Sequence, residues 1–313
     1  MGPATTPPVS LADGETPRGG AVSDLMLRRV LRTPTVVAGV VILCLVALVG
    51  LAAPLLTSLD PAAISPVSRN KTPGAVETVR ADDGTKHEVR HWLGTDSLGR
   101  DVYARVVYGA RASLAVGAVV AVASVAIGLV IGLLAGYVRW LDGIVMRFMD
   151  GLMAIPAILL AIAVVSLSSA GLAAVIVAIV VPEVPRVVRL VRAVVLSVRE
   201  EPYVEAAIAA GTRTVPLIVR HILPNTVPPL IVQATYIAAS AILIEAILSF
   251  LGVGIPPETP TWGNIMAEGR TLFRVYPHTI LYPGILLALT ILSVNLLGDG
   301  LRDTLDPRMR RRM

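Results

Sequence analysis

The sequence predicts an all-α integral membrane protein with six transmembrane helices. Of its 313 residues, 55% are hydrophobic and 16% are charged, whereas a soluble domain carries about 25% charged residues. Only 4% are aromatic, so the apolar mass consists of Ala, Val, Leu, Ile and Gly, which suits closely packed membrane helices. The apolar residues occur in runs near the length of about 20 residues that crosses a bilayer.

Six apolar runs mark the predicted spans. In chain order they cover residues 36–56, 113–138, 151–167, 172–181, 227–251 and 280–297. The second run contains the small-residue seam GLVIGLLAG, and the fourth is expected to continue as a helix through RVVRLVRAVVLSVR. Pro156 and Pro182 lie within spans, which membrane helices tolerate because neighbouring groups satisfy the freed carbonyls.

The remaining segments differ in length and charge. Residues 1–24 are rich in Pro, Gly, Thr and Ser and predict a disordered cytoplasmic tail. Residues 25–57 form a basic segment with the first span, and 58–112 form an extracytoplasmic loop. Residues 113–302 form the membrane core with an inner loop at 199–225, and 303–313 form a basic cytoplasmic tail.

Arginine placement predicts the orientation. Three arginines precede the first span at positions 28, 29 and 32, and four lie at positions 308–312. An even number of spans and the positive-inside rule put both termini in the cytoplasm. The protein is therefore expected to be a multi-pass protein of the cell (cytoplasmic or inner) membrane. Its net charge of +5 reflects this orientation and contact with membrane lipid, and we expect no nucleic-acid partner.

Residues 87–91 read His-Glu-Val-Arg-His, a formal match to the helical zinc motif H-E-x-x-H. The third ligand of the extended motif falls six residues after the second histidine, where Ser97 stands. The surrounding polar, glycine-flanked residues predict a solvated loop rather than a helix. We therefore expect no metal site, and a membrane metalloprotease remains a competing hypothesis.

The inner loop contains several helix start and stop signals. Pro202 after two glutamates predicts a helix start, with a short helix over Tyr203–Ala210 and a stop at Gly211. Thr214 is predicted to cap a second short helix that Pro224 closes. Two short helices would form a compact cytoplasmic knob.

This loop resembles the EAA loop of permease subunits of ABC importers. The matching residues are Glu205, Ala206, Ala207, Gly211, Leu223 and Pro224, with His221 in place of the consensus isoleucine. The resemblance implies a coupling helix that docks on a cytoplasmic ATPase. Tyr203 to Ala210 would supply the docking face, Glu205 a polar anchor and Gly211 the turn.

Two further stretches resemble the C-type subunit of the peptide/opine/nickel branch, which transports dipeptides and oligopeptides among other solutes. One is HWLGTDSLGRDVYARVVYGARASLAVG, with motif residues His91, Gly94, Thr95, Asp96, Gly99, Arg100 and Asp101. Trp92 replaces the usual proline. The other is the chain end, TWGNIMAEGR followed by NLLGDGLRDTLDPR. The resemblance implies the six-helix type I ABC importer permease fold.

The expected partners follow from the same resemblance. No P-loop pattern G-x-x-x-x-G-K-[ST] occurs in the sequence. The chain is therefore expected to be a transport subunit without catalytic residues, and ATP and Mg would bind separate subunits. The resemblance implies two ATP-binding subunits, a B-type permease and an extracytoplasmic substrate-binding protein. Peptides are the expected substrate, with nickel, opines or another small solute as the alternative. A secondary transporter is a further competing class.

Polar residues within spans are functional candidates by default. Glu245 in the fifth span and Asn295 in the sixth could line the transport path or form interhelical hydrogen bonds. Arg186, Arg189 and Arg192 share one helix side, where they could contact anionic lipid, an ATPase or the partner permease. Glu183 is spaced for an i,i+3 pair with Arg186.

Overall fold

The computed structural model describes residues 33–80, 86–167 and 171–305, and these residues form an antiparallel hairpin and a set of packed helices. The hairpin pairs strand β1 (Ala75–Arg80) with strand β2 (Lys86–His91). The helices are α1 Pro34–Leu51, α2 Ala53–Leu56, α3 Val102–Tyr137, α4 Arg139–Met153, α5 Ala157–Ser166, α6 Leu172–Arg199, α7 Pro202–Ala209, α8 Thr214–Leu217, α9 Leu223–Phe250, α10 Trp262–Gly269 and α11 His278–Leu305. The predicted N-terminal tail and most of the C-terminal tail lie outside the described residues.

Within the described part of the chain, four helical stretches are long and apolar enough to cross a membrane. They are α1, α3, α11 and the stretch Thr214–Phe250, which contains α8 and α9. The pair α4 and α5 raises the number to five if it forms one bent span. The fourth predicted span lies in α6, which carries Pro182, Glu183 and Pro185 and is not among these candidates. The chain is thus a multi-pass membrane protein, and six spans stay a prediction.

The third predicted span is not a straight helix. Helices α4 and α5 meet at an angle of 89° across residues 154–156. Pro156 has an extended backbone at the start of α5, and a proline also disfavours helical geometry at the residue before it. The apolar run 151–167 therefore contains a break that its composition does not reveal.

The second predicted span belongs to a much longer helix. Helix α3 begins at Val102, well before the predicted start at Ser113, and the carboxylate of Asp101 accepts a hydrogen bond from the backbone N–H of Ala104 at 2.7 Å. The predicted span begins only at Ser113 because Arg105 and Arg111 interrupt the apolar run before it. Part of the predicted outer loop 58–112 is therefore helical.

The expected loop around the H-E-x-x-H match is a β-strand. Residues 87–91 lie on β2, in register with β1. Positions 87 and 91 are about 13 Å apart along a strand, too far for both histidines to bind one ion as they would on a helix. Among residues 33–80, 86–167 and 171–305, no group of three or more His, Cys, Asp or Glu side chains is placed to hold a metal.

Glycines on α3 bring that helix close to α6. A Cβ added at Gly132 or Gly136 would lie 2.7 Å from the Cβ of Val191 or Val195, respectively. A Cβ added at Gly128 would likewise lie 2.5 Å from the Cβ of Val187. The seam predicted from GLVIGLLAG is therefore a packing face, where missing side chains let two backbones approach closely. We call these three glycines and three valines the glycine contact.

Candidate functional site

The short helix predicted over Tyr203–Ala210 is present as α7, which follows α6 after only two residues, and its coupling role stays a prediction. Pro202 occupies its first turn, where a missing N–H leaves no hydrogen bond unmade, and Glu205 lies in the same turn. Val204 is fully buried in the cluster that contains Val195 and Val198 of α6. Tyr203 and Ile208 are 46% and 49% exposed. Helix α7 is thus anchored on one side to α6 and open on the other.

Gly211 ends this segment as predicted. Its φ is +81°, a backbone conformation that residues with a Cβ rarely adopt. The N–H of Gly211 donates to the carbonyl of Ile208 at 2.9 Å, and that of Thr212 donates to the carbonyl of Ala207 at 3.1 Å. These bonds satisfy helix-end carbonyls and turn the chain toward α8. Nothing lies within 4 Å of a Cβ built on Gly211. Glycine is therefore favoured there by the backbone conformation and not by a lack of space.

The prediction for the second short helix was wrong in two details. Arg213, not Thr214, is the capping residue of α8 and makes no side-chain capping bond. Pro224 does not close the segment, because α8 continues through a π-helical turn at 218–222 into α9. Pro224 lies in the first turn of α9. The missing proline N–H interrupts the regular hydrogen-bond ladder there, and the π turn lies directly before it.

The two halves of the EAA-like segment contact each other. The rings of Tyr203 and His221 stack with centroids 6.4 Å apart. The Asn225 amide N–H₂ donates to the Tyr203 hydroxyl at 3.1 Å and to the His221 carbonyl at 2.6 Å. Leu223 is half-buried beside them. We call six of the exposed residues of this segment the coupling surface: Tyr203, Glu205, Ala206, Ile208, Gly211 and Val215.

The outer motif folds around Asp96. One carboxylate oxygen accepts hydrogen bonds from the backbone N–H groups of Leu98 and Arg100, both at 2.9 Å, and the other accepts from the Arg100 Nε at 2.7 Å. The Arg100 guanidinium also bonds to Glu268 on α10. Burial raises the pKa of the Glu268 carboxyl, and the positive charges of Arg105 and Arg100 oppose that shift.

Arg105 completes the cluster from the first turns of α3. It is fully buried, with Nη2 3.3 Å from the Asn264 amide oxygen and 3.5 Å from a Glu268 oxygen. Its Nη1 lies 3.5 Å from Asp96 Oδ2. We call Asp96, Arg100, Arg105, Asn264 and Glu268 the outer charged cluster. Arg105 was not among the predicted site residues, although an arginine beside an apolar run is a signal of a functional or paired charge.

His91 joins the hairpin to α3. Its Nδ1 lies 2.7 Å from Asp101, the capping residue of α3, and its Nε2 lies 3.7 Å from Glu77 on β1. Gly94 and Gly99 supply the turns between them with φ of +78° and +80°. Thr95 accepts from the N–H of Lys71 at 2.8 Å. The structure therefore brings all seven predicted outer-motif residues together beside α10.

Glu245 on α9 is fully buried. Its Oε1 accepts hydrogen bonds from Ser249 on the same helix and from Thr261, both at 2.8 Å. Thr261 also caps α10, with a reciprocal bond to Asn264. Asn295 on α11 is half-buried, and its amide has no hydrogen-bond partner among residues 33–80, 86–167 and 171–305. The contacts of Glu245 thus link α9 to the start of α10.

Three of the four arginines of α6 have carboxylate partners. Arg186 contacts Glu183 at 2.9 Å, which confirms the predicted i,i+3 pair. Arg189 contacts Asp150 on α4 at 2.7 Å, and Arg192 forms a two-point contact with Asp142, also on α4. The last two ion pairs join α4 to α6.

The comparisons with known proteins agree with this architecture. Residues 128–311 match the family described as "Binding-protein-dependent transport system inner membrane component". The match covers more than half of the chain, and the chain belongs to that family. A chain of the inward-facing structure of the MetNI methionine ABC transporter shares the fold, with a TM-score of 0.52 at 23% identity over 64% of this chain and 95% of that one.

Relatives place the chain among ABC permeases. It is 52% identical to "Probable peptide ABC transporter permease protein y4tQ" of Sinorhizobium fredii, over 90% of this chain and 91% of the relative. It is 38% identical to the dipeptide transport system permease protein DppC of Alkalihalophilus pseudofirmus, over 88% and 86%. It is 44% identical to the glutathione transport system permease protein GsiD of Escherichia coli, over 71% and 74%. These proteins are permease subunits, which agrees with the predicted transport role and C-type identity.

Proposed function

We propose that this chain is the C-type permease of an ATP-driven peptide importer. In this proposal it forms half of the translocation path with a B-type permease, and two ATP-binding subunits and an extracytoplasmic substrate-binding protein complete the complex. Both termini are cytoplasmic, with ATP and Mg bound by the ATP-binding subunits. The observation that carries the proposal is the coupling surface, which is anchored to α6 but exposed. The names of the relatives support peptides as the substrate class.

The connection from α7 to α6 suggests how a movement of the ATPase could reach the membrane helices. Only Glu200 and Glu201 separate the two helices, and Val204 fixes α7 to the end of α6. An ATPase that moves α7 would therefore move α6. The glycine contact then passes that movement to α3, which crosses the apolar region. The permease responds to nucleotide only to the extent that its two conformations contact the ATPase differently.

The coupling role is tested by Gly211→Val. Valine at φ +81° is strained, so the turn at the coupling surface should change shape. We expect normal membrane insertion but loss of uptake and of copurifying ATP-binding subunits. Glu205→Lys should give the same result by reversing the anchor charge. Unchanged uptake in both variants would show that the segment does not couple.

A strain-matched control is available at Gly252. Its φ is +84°, and a Cβ there also meets nothing within 4 Å. Gly252→Val should therefore cost similar stability at a position outside the coupling surface. We expect it to retain the ATP-binding subunits, which would separate lost docking from general strain.

The substrate class is tested by uptake in a deletion strain. Labelled dipeptides, oligopeptides, glutathione and nickel would be compared with and without the gene for this chain. We expect gene-dependent, ATP-dependent uptake of one or more of the peptides. Gene-dependent uptake of nickel alone would replace the peptide assignment and leave the importer assignment standing.

A further inference from the structure

Two buried polar atoms face each other beside the β-hairpin without a hydrogen bond between them. The Nε2 atom of the His91 ring lies 3.7 Å from Oε2 of Glu77 on β1. Both atoms are shielded from solvent, and neither has a hydrogen-bond partner in the part of the chain that the structure describes. A buried polar atom left without a partner lowers stability. A proton added between these two atoms would satisfy both.

The other ring nitrogen of His91 is already engaged. Its Nδ1 lies 2.7 Å from Oδ2 of Asp101, whose second oxygen accepts a hydrogen bond from the backbone N–H of Ala104. Because an ionised carboxylate can only accept, we assign the hydrogen atom of the ring contact to Nδ1. A neutral imidazole of this form carries a lone pair on Nε2. That lone pair faces the Glu77 carboxylate, so two acceptors meet and no bond forms.

One added proton changes this contact. With a hydrogen atom on Nε2, the positively charged ring can donate to Glu77 and to Asp101, and hydrogen bonds between charged groups are stronger than neutral ones. His91 is paired with Ala75 and Glu77 with Val89, so the two side chains are diagonal neighbours on one face of the hairpin. Protonation therefore ties both strands together and strengthens their link to the residue that caps α3.

The turn, loop and helices beside His91 carry other ionisable groups, and these are engaged elsewhere or lie apart from its ring. They are Lys71, Asp96, Arg100, Arg105 and His278. Asp96 contacts both arginines, at 2.7 and 3.5 Å. The His278 Nε2 lies 3.4 Å from the carbonyl oxygen of Thr95, and Lys71 is half-buried in the loop before β1. None of these contacts involves the His91 ring.

Strand β2 also carries ionisable residues near His91. They are His87, Glu88 and Arg90. The last two are exposed, and their positions alternate with His91, so they belong to the opposite face of the strand. The first is four positions away, about 13 Å along the strand. Glu77 and Asp101 are thus the ionisable groups that contact the His91 ring within the described part of the chain.

We propose that a proton bound between His91 and Glu77 is a pH-dependent latch that holds the hairpin against the start of α3. In acidic medium the ring bonds to both carboxylates and the hairpin is closed. As the pH rises the proton leaves, the bond to Glu77 is lost and the hairpin loosens. The closed hairpin binds the proton more tightly than the loosened one, so by linkage acid favours closure. Histidine is the side chain suited to such a change between about pH 5 and 8.

The side of the membrane that controls the latch is a separate matter. The latch responds to the pH outside the cell only if the hairpin is extracytoplasmic, and this part of the inference rests on the proposed function. The latch itself depends only on the contacts of Glu77, His91 and Asp101. It assigns a role to the motif residue His91 that the coupling mechanism does not use.

The test is hydrogen–deuterium exchange of the complete transporter in lipid nanodiscs. Protection factors of the amides in residues 75–80 and 86–91 are measured at about pH 5, 6.5 and 8 and corrected for the intrinsic exchange rate at each pH. We expect protection of the wild-type hairpin to fall at least about threefold from the lowest pH to the highest, because the proton that favours closure is lost.

Two substitutions remove the proton from the contact in opposite ways. In Glu77→Gln the amide N–H₂ can donate to the neutral Nε2 at any pH, so protection should stay high and independent of pH. In His91→Asn the shorter amide can keep the bond to Asp101 but does not reach Glu77, so protection should stay low and independent of pH. His278→Asn is the matched control, since it removes the neighbouring histidine, and it should keep the wild-type pH profile.

Two results would overturn the proposal: hairpin protection that does not change with pH in the wild type, or the full wild-type pH dependence in Glu77→Gln. If His91→Asn does not assemble, the isosteric Glu77→Gln decides alone. Proteoliposomes with different pH on their two faces then test the orientation. Protection should follow the pH on the side opposite the ATP-binding subunits, and protection that follows the other side would reject the proposed orientation while the latch stands.

Discussion

The outer charged cluster and the coupling surface are built in opposite ways. In the outer cluster, the charged side chains of Asp96, Arg100 and Arg105 are almost completely buried and contact one another or Glu268. On the coupling surface, Tyr203 and Ile208 remain about half exposed, and α7 is anchored mainly through Val204. In the outer charged cluster the charged side chains pair with one another, whereas the coupling surface leaves its side chains exposed.

This difference separates residues that matter to the fold from residues that matter to a partner. Removing one member of a buried charged cluster leaves the remaining charges without an opposite charge, in a site that water solvates poorly. Removing an exposed side chain of the coupling surface changes little within the chain itself. Substitutions at the outer end should therefore lower stability first, and those at the coupling end should lower transport first.

The largest effect is expected from Arg105→Met. The substitution leaves the buried Asp96 and the half-buried Glu268 with Arg100 as the one remaining cation of the cluster. Breaking such a buried network costs about 3–5 kcal/mol, and thermal unfolding of the detergent-purified protein should occur at a clearly lower Tm. Arg69→Met is the control, since Arg69 is exposed. Equal Tm values for the two variants would contradict the assigned importance of the cluster.

A smaller effect is expected from Gly132→Val in the glycine contact. The added side chain would collide with Val191, since even a Cβ would lie 2.7 Å from the Val191 Cβ. Overpacking of this kind costs about 2–3 kcal/mol and should also reduce uptake, because α3 and α6 are forced apart. Gly143→Val serves as the comparison, because a Cβ there meets nothing within 4 Å. If Gly143→Val lowers stability and uptake as much as Gly132→Val does, the loss comes from the low helix propensity of valine and not from a collision with α6.

Glu245 should show an intermediate effect that depends on the replacement. Glutamine keeps an oxygen that can accept from Ser249 and Thr261, so Glu245→Gln should retain stability and uptake. Leucine removes the acceptor and should lower the free energy of unfolding by roughly 1–2 kcal/mol. Normal uptake by Glu245→Gln would support a positioning role between α9 and α10. Loss of uptake at full stability would instead indicate a role in the transport path.

The smallest effect is expected from the ion pair between Asp142 and Arg192. Both side chains are more than a quarter exposed, at 26% and 29%, and pairs open to solvent contribute about 1 kcal/mol or less. A double-mutant cycle with Asp142→Asn and Arg192→Gln measures the coupling energy in thermal unfolding. A coupling energy of several kcal/mol would show that α4 is held far more strongly than its exposure implies.

Local patterns predicted the first half of the EAA-like segment well, but not the second. Proline, glycine and short-range spacing determine where α7 begins and where Gly211 turns the chain, because these effects act within a few residues. The outer end depends on contacts between distant residues: Arg105 meets Glu268, which lies 163 positions later. The hairpin was missed because its strands are short and polar, and the right-angled break between α4 and α5 was missed because the run around Pro156 is uniformly apolar.

The length of α6 has a mechanical consequence. The glycine contact is centred on Val191, which lies much closer to the Arg199 end of the helix than to the Leu172 end. At about 1.5 Å per residue, the two arms measure about 12 Å and about 28 Å. A tilt of about 10° around Val191 would move the short arm by about 2 Å and the long arm by about 5 Å. If a partner ATPase moves α7 as proposed, α6 would act as an unequal lever whose long arm moves more than twice as far as its short arm.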